Sequence, residues 1–228
     1  MARACPFGVC DGSGMLVDDE QRVATPCRCR GLIVGERRAR GLSNAIPRKY
    51  RGVSLERPPV TEMPAATVQV VRAYLRNLDQ RLEAGRGLWL YGDVGTGKTT
   101  LAMLVSKTAL ETGRSVAIYS LPRLLAEIRD TYEEGSRHSY TDLLDRLARV
   151  DLLHLDDLGA EKTSPWVLEQ LYAIVNARYE AERSIVLTTN LVDADELAAQ
   201  VGKRTVSRLE EMCEVIPLRG ADWRRFVA

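Results

Sequence analysis

The sequence predicts an α/β fold built around a five-stranded parallel sheet, and three observations carry that expectation. Five short apolar runs, at 87–91, 115–120, 151–156, 184–189 and 213–218, alternate with longer segments of helical periodicity, the pattern of strands joined by crossover helices. A glycine-rich turn follows the first run, and paired carboxylates close the third. Open parallel sheets gather their ligand-binding loops at the carboxyl ends of the strands, where both features fall.

Ahead of the sheet, four of the five cysteines lie between residues 5 and 29, as Cys5-x₄-Cys10 and Cys27-x-Cys29, with Asp11-Gly12-Ser13-Gly14 supplying a turn. Four thiolates suit tetrahedral zinc with no open coordination position, hence a structural site. Apart from Phe7, Met15, Leu16 and the valines, this stretch has few large apolar side chains to bury. Such a segment is not expected to fold on its small core alone, and structural zinc, contributing about 10–16 kcal/mol, would supply stability that the core lacks. Free thiols and iron–sulfur ligation are the alternatives. Residues 31–44 read as a basic helix and 45–50 as a linker, which divides the chain into a 1–44 module and a 45–228 domain. Residues 1–50 carry nine Lys and Arg against five Asp and Glu, a net of +4 consistent with a modest basic face. After the Pro58-Pro59 break, Val68, Val71, Leu75, Leu78 and Leu82 repeat at helical spacing.

The first strand leads into Gly92-Asp93-Val94-Gly95-Thr96-Gly97-Lys98-Thr99-Thr100 and then the helical Leu101-Ala102-Met103-Leu104. Glycines at this spacing let successive backbone N–H groups converge on phosphate oxygens, and the helix that follows aims its positive end at the same anion. Lys98 is placed to reach the β- and γ-phosphates and Thr99 to reach Mg²⁺, so the segment binds a nucleoside triphosphate rather than being a bare turn before a helix. The second strand is followed by helical stretches at 121–132 and 140–147. The third, Leu152-Leu153-His154-Leu155-Asp156-Asp157, ends in the acids that a Mg²⁺-dependent phosphoryl-transfer site requires. Asp156 is expected to hold the metal, and Asp157 or Glu161 to polarise the attacking water. His154 is expected to point away from the aspartates' face or into packing, as a structural histidine.

Ser164 before Pro165 marks a helix start. The fourth strand ends Thr188-Thr189-Asn190, which places the Asn190 amide where the strand abuts the γ-phosphate. Asp193 with Glu196 resembles a capping box. Arg204 and Arg208 sit one helical turn apart and share a face, which is either solvated or, in an oligomer, able to reach a neighbouring subunit's nucleotide. Cys213 reads as a small core residue.

Composition is ordinary for a globular chain of 228 residues, with 45% hydrophobic and 28% charged. The longest uninterrupted apolar stretches, Leu101 to Val105 and Leu171 to Val175, are five residues, far short of the about 18 that span a bilayer. The N-terminus lacks the apolar stretch of a secretory signal, so a cytoplasmic, thiol-reducing location is expected, with no membrane partner.

Assembled, these residues resemble the helicase-loader branch of the AAA+ ATPases, the DnaC/DnaI type, with its transposition relative IstB. The likeness spans about residues 45–225 and rests on Ile46-Pro47-Arg48-Lys49-Tyr50, the phosphate loop, Asp156-Asp157-Leu158-Gly159-Ala160-Glu161-Lys162 and Arg178-Tyr179. It continues through Thr188-Thr189-Asn190-Leu191, the Gly202 to Leu209 segment and Gly220-Ala221-Asp222-Trp223-Arg224. The resemblance implies ATP and Mg²⁺ as ligands, sheet order 5-1-4-3-2, and Asn190 as sensor 1. It further implies Arg204 as the trans-acting arginine of a self-associated ATP state, with Arg208 beside it, and Arg224 as a sensor 2-like residue. Two departures stand out. Asp156-Asp157 replaces the Asp-Glu of most AAA+ proteins, which implies slow hydrolysis, and the chain ends ten residues after Leu218, with no small helical lid.

In this branch a helical element after the second strand contacts single-stranded DNA. The resemblance places Arg123, Arg129, Arg137 and Arg146 on phosphates there, and Tyr132 or Tyr140 on a base. With Glu127, Asp130, Glu133, Glu134, Asp142 and Asp145 interspersed, a mixed-charge solvated helix pair is the alternative. The N-terminal region of such loaders grips the helicase. The implied function is an ATPase that delivers a hexameric replicative helicase onto single-stranded DNA. The alternative is an IstB-like transposition ATPase that acts on duplex DNA with a transposase. A P-loop small-molecule kinase would need an Arg-rich lid and an acceptor-binding acid, and the sequence offers neither.

Overall fold

The computed structural model describes residues 5–18, 21–39, 42–133, 135, 139–220 and 222. A hairpin of β1 (Met15–Asp18) and β2 (Val23–Pro26) precedes α1 (Arg30–Arg38), α2 (Ala65–Arg76) and α3 (Leu78–Glu83). The sheet region then runs β3 (Gly87–Gly92), α4 (Lys98–Glu111), β4 (Val116–Ser120), α5 (Leu121–Asp130), α6 (Tyr140–Arg149), β5 (Leu152–Leu158), α7 (Pro165–Glu180), β6 (Ser184–Thr189), α8 (Ala194–Val201), α9 (Lys203–Met212) and β7 (Cys213–Leu218). In the five-stranded sheet every pairing is parallel and the spatial order is β7-β3-β6-β5-β4. Counted along the chain, that is the expected 5-1-4-3-2.

Alternation along the strands feeds two apolar layers. Trp89, Tyr119, Leu153, Leu155, Ile185 and Leu187 face the layer under α5, α6, α7 and α9. Leu88, Leu90, Ile118, Leu152, Val186 and Ile216 face the layer under α2, α3 and α4. All six residues of β6 are buried, as a central parallel strand requires. Among the described residues no helix is long and apolar enough to cross a membrane.

Three local expectations are corrected. The helix read at 31–44 stops at Arg38, and the Ser43 carbonyl accepts from the Ile118 amide while the Ser43 amide donates to the Tyr119 hydroxyl at 3.1 Å. β4 is the sheet's edge, with an unpaired row of backbone groups, and covering that row outweighs helical periodicity. The helical pattern from Val68 to Leu82 breaks at Asn77 into α2 and α3, yet Val71, Leu78 and Leu82 all stay buried because both helices face one layer. The third strand runs on to Leu158. The β1–β2 hairpin had no counterpart in the sequence reading.

The cysteine-bearing segment lies against the sheet domain. Ala39 and Leu42 join the main apolar cluster, and α1 meets the turn after α4 so closely that a Cβ on Gly35 would lie 2.5 Å from the Gly113 carbonyl oxygen. Only glycine permits that approach.

Arg178 is fully buried. Its guanidinium donates to the carbonyls of Leu147, Val150 (3.0 Å), Asp151 (3.3 Å) and Ser184 (2.6 Å), tying the end of α6 to the entries of β5 and β6. Burial, with Arg183 nearby, pulls it down to about 9, so it stays charged at neutral pH. Arg178→Met leaves these acceptors without partners, at about 1–3 kcal/mol each. A loss of about 3 kcal/mol would lower the melting temperature by about 6–12 °C. Differential scanning fluorimetry checks this, with an unchanged melt counting against the clamp.

Candidate nucleotide site and cysteine cluster

The phosphate loop joins β3 to α4 and turns through Gly95 in the left-handed region, at φ +84°. Lys98 is nearly buried, 6% exposed, and its Nζ donates to the carbonyls of Gly92 (2.8 Å) and Asp93 (2.6 Å). Thr96 Oγ1 also donates to the Asp93 carbonyl, at 2.8 Å. The carboxylate of Asp222 sits against the loop: a Cβ on Gly95 would come 1.9 Å from its Oδ1.

The acids are set by a bulge. β5 and β6 pair at Leu155↔Leu187 and next at Leu158↔Thr189, so Asp156 and Asp157 together oppose Thr188. Asp157 takes up the extra residue at φ +59°, as a bulge that re-aims a strand end beside a site. Thr188 fastens it: its hydroxyl accepts from the Asp157 amide (2.9 Å) and donates to Asp156 Oδ1 (2.7 Å). Thr99 Oγ1 donates to the same oxygen at 3.0 Å, which joins the phosphate loop to the strand-end acid. Burial pushes the Asp156 carboxyl up, but His154, Thr188 and Thr99 outweigh it and hold the group below its ordinary value. Two hard oxygen donors side by side next to a glycine-rich loop are the donor chemistry that Mg²⁺ with a polyphosphate takes.

His154 is not turned away from the acids. Residues two apart on a strand share a face, and its Nε2 lies 3.9 Å from Asp156 Oδ1. The period-two rule alone would have placed it there. Thr188, also missed, stood in plain sight in the Thr188-Thr189-Asn190 run.

Tyr91 pairs with Thr189, so the exposed Asn190 follows level with the start of the loop. Glu161 is half-buried in the segment after β5. Arg204 and Arg208 differ in setting. Both line a groove of about 490 Å³ with Tyr172, Lys203 and Ser207, but Arg204 is exposed. Arg208 is stacked within its own chain, 4.7 Å from the Tyr172 ring and 5.3 Å from that of Tyr179, whose hydroxyl donates to Glu211. Arg224, Trp223, Arg137 and Glu134 lie outside the described residues.

In the helical element after β4, Tyr132 and Tyr140 stack on one another at 5.7 Å, and the Arg129 guanidinium lies 4.7 Å from the Trp166 ring. Arg146 Nε donates to the Asp142 carbonyl. Several groups read as nucleic-acid contacts are thus engaged inside the chain.

The Sγ atoms of Cys5, Cys10, Cys27 and Cys29 all lie within 4.8 Å of one another. Cys5 and Cys27 are 3.9 Å apart and Cys10 and Cys29 3.4 Å, against about 3.8 Å for the edge of a tetrahedron with zinc–sulfur bonds of about 2.3 Å. The Gly12 amide donates to Cys10 Sγ at 3.4 Å. Amides of Val9, Cys10 and Phe7 lower the Cys5 thiol to about 6, whereas burial and the neighbouring sulfurs push Cys29 up. Four thiolates this close repel one another, and a soft divalent cation relieves that repulsion. The cluster's donor set and spacing suit zinc.

A parallel sheet in the order 5-1-4-3-2, with a phosphate loop after its first strand and an acid pair at the end of its third, defines a P-loop NTPase of the AAA+ class. The family model for the IstB-like ATP binding protein matches residues 65–225, and the chain belongs to that family. Curated relatives include the replicative helicase loader DnaC of Escherichia coli (strain K12), 30% identical over 118 residues, covering 52% of this chain and 47% of the relative. DnaC of Buchnera aphidicola subsp. Baizongia pistaciae (strain Bp) is likewise 30% identical over 118 residues, covering 52% and 48%. The chain thus spans about half the length of the curated relatives it matches. Among solved structures, that of the DnaC helicase loader superposes with a TM-score of 0.64 at 26% identity, covering 76% of this chain and 100% of that one. The replication initiator DnaA bound to AMPPCP and single-stranded DNA gives 0.63 at 26% identity, covering 77% and 51%.

Proposed function

We propose that the chain is an ATP-regulated helicase loader that binds ATP with Mg²⁺, hydrolyses it slowly, and delivers a hexameric replicative helicase onto single-stranded DNA. The observation that carries the reading is the Thr99–Asp156 hydrogen bond of 3.0 Å, which couples the phosphate loop to the strand-end acid. When bound, Mg²⁺ neutralises phosphate charge. Lys98 exchanges the Gly92 and Asp93 carbonyls for phosphate oxygens, and Thr99 and Asp156 hold the cation. Asn190 lies beside the γ-phosphate, and Asp157 or Glu161 orients the attacking water. Of the two arginines on α9, Arg204 is the one to reach a second subunit's nucleotide, because Arg208 is occupied by Tyr172 and Tyr179. The 1–44 segment, with zinc on its four cysteines, is a docking module for the helicase, and 45–228 is the ATPase domain.

The family match favours a second reading, an IstB-like transposition ATPase on duplex DNA. Filter binding of the full chain to single- and double-stranded DNA of equal length, with and without ATP, separates the two. The loader is expected to prefer single strands and to co-purify with the replicative helicase. A strong duplex preference without helicase capture would favour the transposition role.

A further inference from the structure

A buried polar chain runs behind the metal-holding acid. His154 is fully buried on β5, on the sheet face that α4 covers. Its Nδ1 lies 2.9 Å from Ser106 Oγ, on α4. Ser106, itself 0% exposed, falls two helical turns beyond Thr99, so the same face of α4 carries Thr99 to Asp156 and Ser106 to His154. The remaining ring nitrogen, Nε2, is buried with no hydrogen-bond partner, 3.9 Å from Asp156 Oδ1. An orphaned imidazole nitrogen in a buried layer is costly where leucine would pack well, so its presence here calls for a compensating role.

We propose that His154 is a positioning residue for Asp156: Ser106, donating to Nδ1, keeps a proton on Nε2, and that N–H holds Asp156 Oδ1 inward. Oδ1 then has Thr99 and Thr188 as donors and the His154 N–H facing it across 3.9 Å, and the second carboxylate oxygen is left for the cation. The inference rests on the nucleotide-site reading above. Partners of metal ligands of this kind change metal affinity by about 10- to 100-fold when removed.

The test uses the full chain and a fluorescent ATP analogue, titrated in EDTA and then against Mg²⁺, with a thermal melt for each variant. His154→Leu is expected to leave binding in EDTA unchanged, to raise the half-saturating Mg²⁺ concentration about tenfold, and to keep or raise the melting temperature. His154→Gln, which keeps an N–H donor, is expected to recover most of that shift. A half-saturating Mg²⁺ concentration within twofold of wild type in His154→Leu overturns the proposal, as does an equal loss in EDTA, which marks general damage. Should His154→Leu fail to fold, Ser106→Ala, which frees the tautomer, is expected to raise the Mg²⁺ requirement by a smaller factor, and no change there overturns the proposal. Wild-type protein that binds no nucleotide in either condition overturns the site reading itself; normal binding with an unmoved Mg²⁺ requirement overturns this inference alone.

Discussion

Lys98→Ala is expected to weaken ATP binding about 10²- to 10⁴-fold and to abolish phosphate release. Hydrogen bonds to a charged partner contribute about 1.5–3 kcal/mol each, and two phosphate contacts convert to that range at about 1.4 kcal/mol per tenfold. In the structure Nζ is already gathered at the neck of the loop, held by two carbonyls and shielded from water. Its charge acts there in a medium that screens poorly. The fold should survive the change, because the two apolar layers are built from other residues. Calorimetry with Mg²⁺ and ATP measures the loss, and retention of affinity within tenfold would sink the phosphate-loop assignment.

Removing the metal from the cysteine cluster is expected to unfold the small module and spare the sheet domain. Structural zinc contributes about 10–16 kcal/mol at neutral pH in small domains, whereas Phe7, Val9, Val17 and Val23 are exposed and supply little core. The purified chain should carry one zinc per molecule, released by a strong chelator or by the paired change Cys27→Ser and Cys29→Ser. Hydrogen exchange should then rise across residues 5–38 while β3, β5 and β6 stay protected. Acid should act similarly. The four ligands bind as thiolates, so protons compete with the metal and its loss should follow as pH falls. A chain that holds no zinc at neutral pH yet shows the same protection would refute the metal-dependent fold.

The sheet was legible because parallel strands are apolar on both faces and the helices between them are long, so runs such as Ser184–Thr189 admit few other readings. The phosphate loop and Asp156 were legible for a different reason, since their chemistry tolerates few residue types. What escaped depends on pairing. The bulge that opposes Asp156 and Asp157 to Thr188 is a property of two strands together, and neither sequence segment announces it. Residues 42–44 were read as helix because nothing local says that β4 will be an edge in need of cover. His154 is buried in packing as expected, and what its period-two spacing from Asp156 adds is that it packs on the acid's own side of the strand. Arg208 could not be separated from Arg204 by spacing, since only the fold brings Tyr172 and Tyr179 around it.

Helix α4 has fourteen residues, a rod about 21 Å long. Its first residue is Lys98, and just past its last turn Gly113 meets Gly35 backbone to backbone. A methyl group at position 35 would therefore pry α1, with the cysteine cluster ahead of it, off the far end of the helix that Lys98 begins.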